Sequence, residues 1–486
     1  MSRRSDTTEP LTSAERDAAA ELARRVREAT ILLESLAADR DRLLHVPEED
    51  RNRLLRAAGE VSRPDAVMRR QLVKATKRLR KAQHKVRVEQ VEAQLTGTGI
   101  RQLRRQPVFT TPNYRLSAGQ ASDGLLDADA DDGAAEERGE TVDPQHCYTC
   151  KRHFTVLHHF YDQLCPSCAA FNFAKRTELA DLRGRVALLT GGRVKIGYQA
   201  GIKLLRSGAH LIVTTRFPRD SAMRYAAEPD FAEWGDRLEI FGLDLRHTPS
   251  VEAFCQQLLE THHRLDFIVN NACQTVRRPP DFYRHMMERE TSALASLPER
   301  AQRLVGAYEG VRGYDMLPDA NDEKAAARTL AGIAVRAGGI AHSATLSQVP
   351  LLPEELAGPS HLFPEGRLDQ DLQQVDLRDR NSWRLLMHEV PAVELLEVQL
   401  VNAVAPFLIN ARLKPLMLRT PERDKHIVNV SAVEGQFYRR FKTTRHPHTN
   451  MAKAALNMMT RTSAADYHHD GIHMNSVDTG WVTDED

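Results

Sequence analysis

A short apolar run, Arg185-Val186-Ala187-Leu188-Leu189, leads directly into Thr190-Gly191-Gly192-Arg193-Val194-Lys195-Ile196-Gly197 and then into an Ala/Leu-rich stretch. No other feature of the chain restricts its fold so tightly. The apolar run reads as a buried strand, and the residues after Gly197 carry helical spacing. Strand, glycine turn and helix in that order aim backbone N–H groups and the positive end of a helix at one point, where a pyrophosphate fits. A glycine motif alone is weak evidence; the strand before it and the helix after it give it meaning. The expected fold is α/β, a doubly wound parallel-sheet Rossmann domain.

Further segments follow in a fixed order. His210-Leu211-Ile212-Val213-Thr214-Thr215 is a second strand ending at Arg216, and Leu243-Asp244-Leu245 closes a third. Then come Leu265-Asp266-Phe267-Ile268-Val269-Asn270-Asn271-Ala272, Val401-Asn402-Ala403-Val404-Ala405-Pro406-Phe407, Ile427-Val428-Asn429-Val430-Ser431 and Val477-Asp478-Thr479-Gly480. In this order they resemble the short-chain dehydrogenase/reductase family, whose glycine motif is T-G-x-x-x-G-x-G. Lys195 replaces one motif glycine, a departure similar to that of the pteridine reductase branch, and Cys273 replaces the glycine after Asn271-Ala272. The resemblance implies a cofactor held by Thr190, Gly191, Gly192, Arg193, Lys195, Ile196, Gly197, Asp244, Leu245, Asn271, Ala272, Lys453, Thr479 and Gly480.

Charge bears on which cofactor. An acidic residue at the end of the second strand would bind ribose hydroxyls and repel a 2′-phosphate. Here Thr215 holds that place, with Arg216 beside it and Arg193 or Lys195 in the turn. Such cations can pair with a 2′-phosphate, so NADP(H) is expected over NAD(H).

The family's chemistry uses a tyrosine four residues before a lysine, whose charge lowers the phenol's pKa. Lys453 and Asn402 match, but Thr449 stands at the tyrosine position. Ser431, followed by Ala432, occupies the first place of the family's Ser-Ser pair. Tyr438 is the leading candidate to supply the proton, with His446 and His448 behind it. Two readings follow: an oxidoreductase acting on a carbonyl/alcohol or C=N group through a non-standard site, or a catalytically inactive NADP(H)-binding scaffold or sensor. The family implies a homo-oligomer.

Between these segments, residues 275–377 form a large insertion, with helices expected at 282–308 and 322–337. Its position places it near the carboxyl ends of the strands, as a lid, part of a pocket, or simple surface elaboration. The chain stops shortly after the sixth strand, without the helix and strand the family normally adds. The expectation is an open sheet edge, covered by the insertion or a partner, or a C-terminally truncated chain.

Residues 1–105 read as a helical, coiled-coil-like arm. Leu22, Val26, Ala29, Leu33, Leu36 and Leu43 share one seam, breaks fall at Pro47 and at 63–65, and Leu72, Ala75, Leu79, Ala82 and Val86 form a second stripe ending near Gly97. Residues 69–87 are basic without an acidic residue, which suits a solvated face or an acidic partner. No aromatic residues are interleaved to stack on bases, and nucleic acid is not expected. Residues 106–143 read as a flexible acidic linker.

Residues 144–175 contain Cys147-x-x-Cys150 and Cys165-x-x-Cys168, the spacing of a zinc-ribbon-like module with a closed, structural S4 site. His146, His153, His158 and His159 lie close enough in sequence to replace one thiol, or are ordinary surface histidines. A net charge of +1 gives no global field. No apolar run was expected to approach the roughly 20 residues that span a bilayer, and a reducing, cytoplasmic location is expected from the clustered cysteines.

Overall fold

A computed structural model describes residues 13–63, 66–103, 139–311, 340–356, 360–364, 366–369, 373–438 and 442–480. The expected helix at 322–337 and nearly all of the acidic linker lie outside these residues. Two compact units partition the chain, residues 1–101 with 135–169 and residues 102–134 with 170–486.

In the first unit, helices run over Ser13–Ala38, Glu48–Ser62 and Ala66–Thr96, with the breaks at Pro47 and at 63–65 where the sequence puts them. The two apolar stripes do not pack on one another: Leu22, Val26, Leu72, Leu79 and Val86 are each more than half exposed. Strands β1 (Glu140–His146) and β2 (His153–Val156) pair antiparallel. They carry a small core of Leu95, Phe154 and Leu157 around Cys147 and Cys165.

The second unit is built on a parallel sheet. Strands β3 (Val186–Thr190), β4 (His210–Thr215), β5 (Leu238–Gly242), β6 (Phe267–Asn270), β7 (Lys425–Ser431) and β8 (Ile472–Asp478) lie in the order β5-β4-β3-β6-β7-β8. Helices cover both faces, so the central strands are apolar on both sides and read as continuous runs. Alternation divides their side chains. Leu188, Ile212, Ile268 and Ile427 pack with Phe254, Leu258, Ile409 and Leu413 on one face, while Leu189, Leu211 and Val213 pack with Ile202, Leu205, Tyr225 and Trp234 on the other.

The insertion departs from the single helix expected over 282–308. Helices Pro280–Thr291 and Glu299–Val311 are separated by an extended Ser292 and a short turn before Pro298, whose ring cannot continue a preceding helix. Leu297, Ala301, Leu304 and Val305 complete the core against β5, the outermost strand on that side. This part of the insertion is therefore structural. β8 is the outermost described strand on the other side.

The helical run Ala392–Met417 is long and apolar enough by composition to cross a membrane, which corrects the expectation that no run reaches that length. Its polar side chains nevertheless bond within the α/β core. Asn410 Oδ1 accepts from Asn270 Nδ2 at 2.9 Å, Asn270 Nδ2 also donates to Asn429 Oδ1 at 2.8 Å, and Asn429 Nδ2 donates to Thr460 Oγ1 at 2.9 Å. Four elements are thus joined by one buried ladder of asparagines, in which Asn270 donates and Asn410 and Asn429 each both donate and accept.

Candidate functional site

β3 has β4 on one side and β6 on the other, so the chain's winding reverses between β3 and β6 and leaves a crevice at their carboxyl ends. The glycine turn forms its floor. Gly197 is irreplaceable on packing grounds, because an added Cβ would stand 2.1 Å from the Gly191 carbonyl oxygen. Asn271 Nδ2 donates to that same oxygen at 3.1 Å, and Thr190 Oγ1 accepts from the Ala272 N–H at 3.0 Å. Lys195, at the place of the missing motif glycine, has φ +54°, the left-handed conformation that favours glycine. The turn keeps its geometry despite the substitution.

Above it lies a cavity of about 970 Å³. Arg193, Lys195, Gly197, Arg216, Asp244 and Lys453 are among its lining residues. So are Gly191, Ile196, Leu245, Asn271, Ala272, Thr479 and Gly480, which leaves only Thr190 and Gly192 of the expected cofactor residues off the wall. The donor set fits a dinucleotide: backbone amides at a helix start, cations at one end, and Lys453 with Ser431 at the other.

The two arginines part company. Arg193 is buried, its guanidinium 2.8 Å from Asp220 and 3.3 Å from Gln373. Burial alone would raise the Asp220 carboxyl, but the Arg193 and Arg224 guanidiniums hold it down to about 2. Arg193 thus faces the cavity with its charge already paired. Half-buried Arg216 instead donates to the neutral Tyr283 hydroxyl at 2.6 Å and lies over that ring, leaving its charge uncompensated by that contact. Tyr283, Phe282 and Gln373–Asp376 carry the insertion onto the wall beside Arg216. Asp244 accepts from Arg246, which in turn reaches Glu397 at 2.7 Å.

At the other end, Lys453 Nζ donates to the Val430 carbonyl at 2.8 Å, and the Ser431 hydroxyl lies 3.5 Å from the Lys453 carbonyl. Both line the cavity. Asn402 and Tyr438 do not. Asn402 is buried in a π-helical turn and bonds the backbone of Gln274. Tyr438 is 97% exposed, which corrects the expectation that its phenol stands ready to supply a proton.

Thr449 is buried, away from the lining. His448 is buried against Glu394 at 3.2 Å, also away from it. His446 does line the cavity. It precedes the helix Pro447–His469 with φ +43°, and its ring stands edge-on to Trp383 at 4.4 Å. Burial lowers its pKa, against the raising pull of the Glu434 carboxylate and of a hydrogen bond with Asn450. Trp383, Arg384, Arg246 and Glu397 also line the wall. No sequence spacing pointed to them, apart from Arg246 standing two residues after Asp244.

In the first unit, the Cys147, Cys150, Cys165 and Cys168 sulfurs lie within 4.8 Å of one another. Lys151 takes a left-handed φ of +63° just after the first pair, and Cys168 opens a helix with the second. Four convergent thiols with nothing else between them suit a tetrahedral ion.

Comparison with known proteins agrees with this geometry. Residues 185–293 match the family model for short chain dehydrogenase, and residues 382–485 match that for enoyl-(acyl carrier protein) reductase. Uncharacterized protein R665 of Acanthamoeba polyphaga mimivirus is 28% identical over 348 residues, 69% of this chain and 64% of that protein. Dehydrogenase/reductase SDR family member 13 of Bos taurus is 32% identical over 105 residues, 21% of this chain and 28% of that protein. The chain thus spans less than two thirds of these curated relatives. A metagenomic short-chain oxidoreductase solved in complex with NADP aligns with a TM-score of 0.36 and 17% identity, over 62% of this chain and 84% of that one. The first match runs into the insertion as far as residue 293 and the second begins after it, and both stretches resemble short-chain dehydrogenase/reductase sequences.

Proposed function

We propose that this chain is an NADP(H)-dependent short-chain dehydrogenase/reductase acting on a carbonyl/alcohol or C=N group, with His446 exchanging the substrate proton in place of a tyrosine. One observation carries the reading: a single cavity brings together the glycine turn, Arg216, Lys453, Ser431 and His446. The bound nicotinamide would supply or accept the hydride. Arg216 favours the 2′-phosphate because its present partner, the Tyr283 hydroxyl, is neutral. Lys453 offers ammonium protons to ribose hydroxyls, and the Ser431 hydroxyl can donate to a substrate oxygen. His446, with its pKa lowered by burial, can give up a proton to the substrate oxygen or nitrogen.

The test is NADPH consumption over a panel of carbonyl and imine compounds, with cofactor binding followed by calorimetry. Turnover abolished in His446→Ala and Lys453→Ala, with NADPH still bound by the first variant, is the expected result. Failure of the native chain to bind either NADPH or NADH refutes the proposal.

A second reading, an inactive NADP(H)-binding scaffold or sensor, is favoured by Thr449 at the family's tyrosine position together with the outward-facing Tyr438. A tight binder inert across the panel would establish it. In either reading the four thiols hold a structural zinc, which needs a reducing compartment such as the cytoplasm. The exposed row Leu72, Leu79 and Val86, at heptad spacing, supports a coiled-coil contact with a second copy or another protein.

A further inference from the structure

The cavity lies at the carboxyl ends of the strands. A different group of ligating side chains lies near their amino ends. His210 is the first residue of β4, Glu239 the second of β5, and His262 caps the C-terminus of the helix Thr248–Thr261. Their ligating atoms lie within 4.8 Å of one another. Both imidazole Nε2 atoms converge on one carboxylate oxygen, Glu239 Oε1, at 2.7 Å from His210 and 3.3 Å from His262.

His262 is also held from its far side: its Nδ1 lies 2.9 Å from Thr261 Oγ1, a hydroxyl that lies 2.7 Å from the Gln257 carbonyl. A polar oxygen beside the far ring nitrogen is the kind of contact that orients a metal-ligating imidazole, here with Nε2 facing Glu239 Oε1. The three side chains are 35%, 27% and 14% exposed, so the point of convergence is reachable from solvent.

We propose that His210, Glu239 and His262 bind a divalent transition-metal ion through two imidazole nitrogens and one carboxylate oxygen, with water completing the coordination. Such a donor set suits zinc, nickel or copper. One carboxylate is too little oxygen for calcium or magnesium. The site is separate from the four-thiol cluster, which belongs to the other unit. Because β5 is the outermost described strand on its side, the ion would pin that strand to the end of a core helix. Binding to the folded state alone would stabilise it.

The experiment is a zinc count on the full chain, stripped with chelator, dialysed against dilute Zn2+ and measured by elemental analysis. The native chain is expected to hold one more equivalent than His262→Gln and than Glu239→Gln, each checked for folding by circular dichroism. Cys147→Ser should leave that equivalent in place. Added zinc should raise the melting temperature of Cys147→Ser but not that of Cys147→Ser combined with His262→Gln. Equal zinc in the native chain and both variants of this site overturns the proposal and leaves His262 as a hydrogen-bond partner of Glu239 alone. The comparison does not depend on whether the chain has oxidoreductase activity.

Discussion

Asn402 clasps Gln274 with both ends of its amide: its Oδ1 accepts from the Gln274 N–H at 2.7 Å and its Nδ2 donates to the Gln274 carbonyl at 3.0 Å. The clasp joins a π-helical turn to the loop after β6, the loop whose Asn271 holds the glycine turn. Asn402 is thus a positioning residue. Asn402→Ala would orphan two backbone groups, and the cost should be about 2–4 kcal/mol. Asn402→Asp keeps the acceptor but sets an oxygen against the Gln274 carbonyl. Urea titration of both variants, with NADPH affinity alongside, checks this; weakened affinity should accompany lost stability.

Arg193 and Arg216 should respond in opposite ways. Arg193→Met removes one guanidinium partner of buried Asp220 and leaves Arg224 at 2.9 Å and Arg289 at 3.3 Å, so the cost should be about 1.5–3 kcal/mol. The effect should depend on pH. Folding lowers the Asp220 carboxyl from 3.8 to about 2, so its contribution is complete above the unfolded value and disappears as pH falls through the folded one. Urea midpoints of the native and variant chains should therefore converge between pH 5 and 2. Arg216→Met should leave stability nearly unchanged and weaken NADPH binding about tenfold, with NADH little affected. Equal losses for the two cofactors would remove Arg216 from 2′-phosphate recognition.

These two arginines show where sequence is informative and where it is not. Close approach of β3, the turn and the next helix demands particular residues at particular spacings, so the cofactor floor was legible from Thr190 to Gly197. A cation's partner is different, because Asp220 is 27 residues from Arg193 and no periodicity links them. Loop side chains carry no such pattern either. Sequence put Tyr438 ahead of His446, and only the start of the helix Pro447–His469 turns His446 inward beside Trp383. The insertion was legible as an insertion. Its second helix, which completes the core against β5, was hidden by the break before Pro298.

Lys195 holds a conformation better suited to glycine, at some cost in backbone strain. Lys195→Gly relieves that strain but adds chain entropy to the unfolded state, so net stability should change by less than about 1 kcal/mol. The ammonium is lost from the cavity wall. NADPH affinity should therefore fall about tenfold, and calorimetry against a thermal melt separates the two effects. An unchanged affinity would mean that Lys195 points its charge into solvent.

Chelation should act on one unit only. Removing the proposed zinc from Cys147, Cys150, Cys165 and Cys168 would withdraw the ion from beside the small core of Leu95, Phe154 and Leu157. A strong chelator is expected to expose β1 and β2 to hydrogen exchange while β3, β4 and β6 stay protected, as followed by mass spectrometry. Loss of protection throughout the parallel sheet would contradict the division into two cores.

His446 should set the pH dependence, and the sign follows from its role. Burial lowers its pKa from the ordinary 6.5, because the imidazolium is poorly solvated among Trp383 and its neighbours. Reduction needs the protonated ring as donor, so kcat/KM for reduction should fall as pH rises through that lowered value. Oxidation needs the neutral ring as acceptor and should rise through the same value. His446→Gln should flatten both limbs and reduce the rate about 100-fold or more, with NADPH affinity preserved. A native profile that keeps its limbs in His446→Gln would assign the proton to another group.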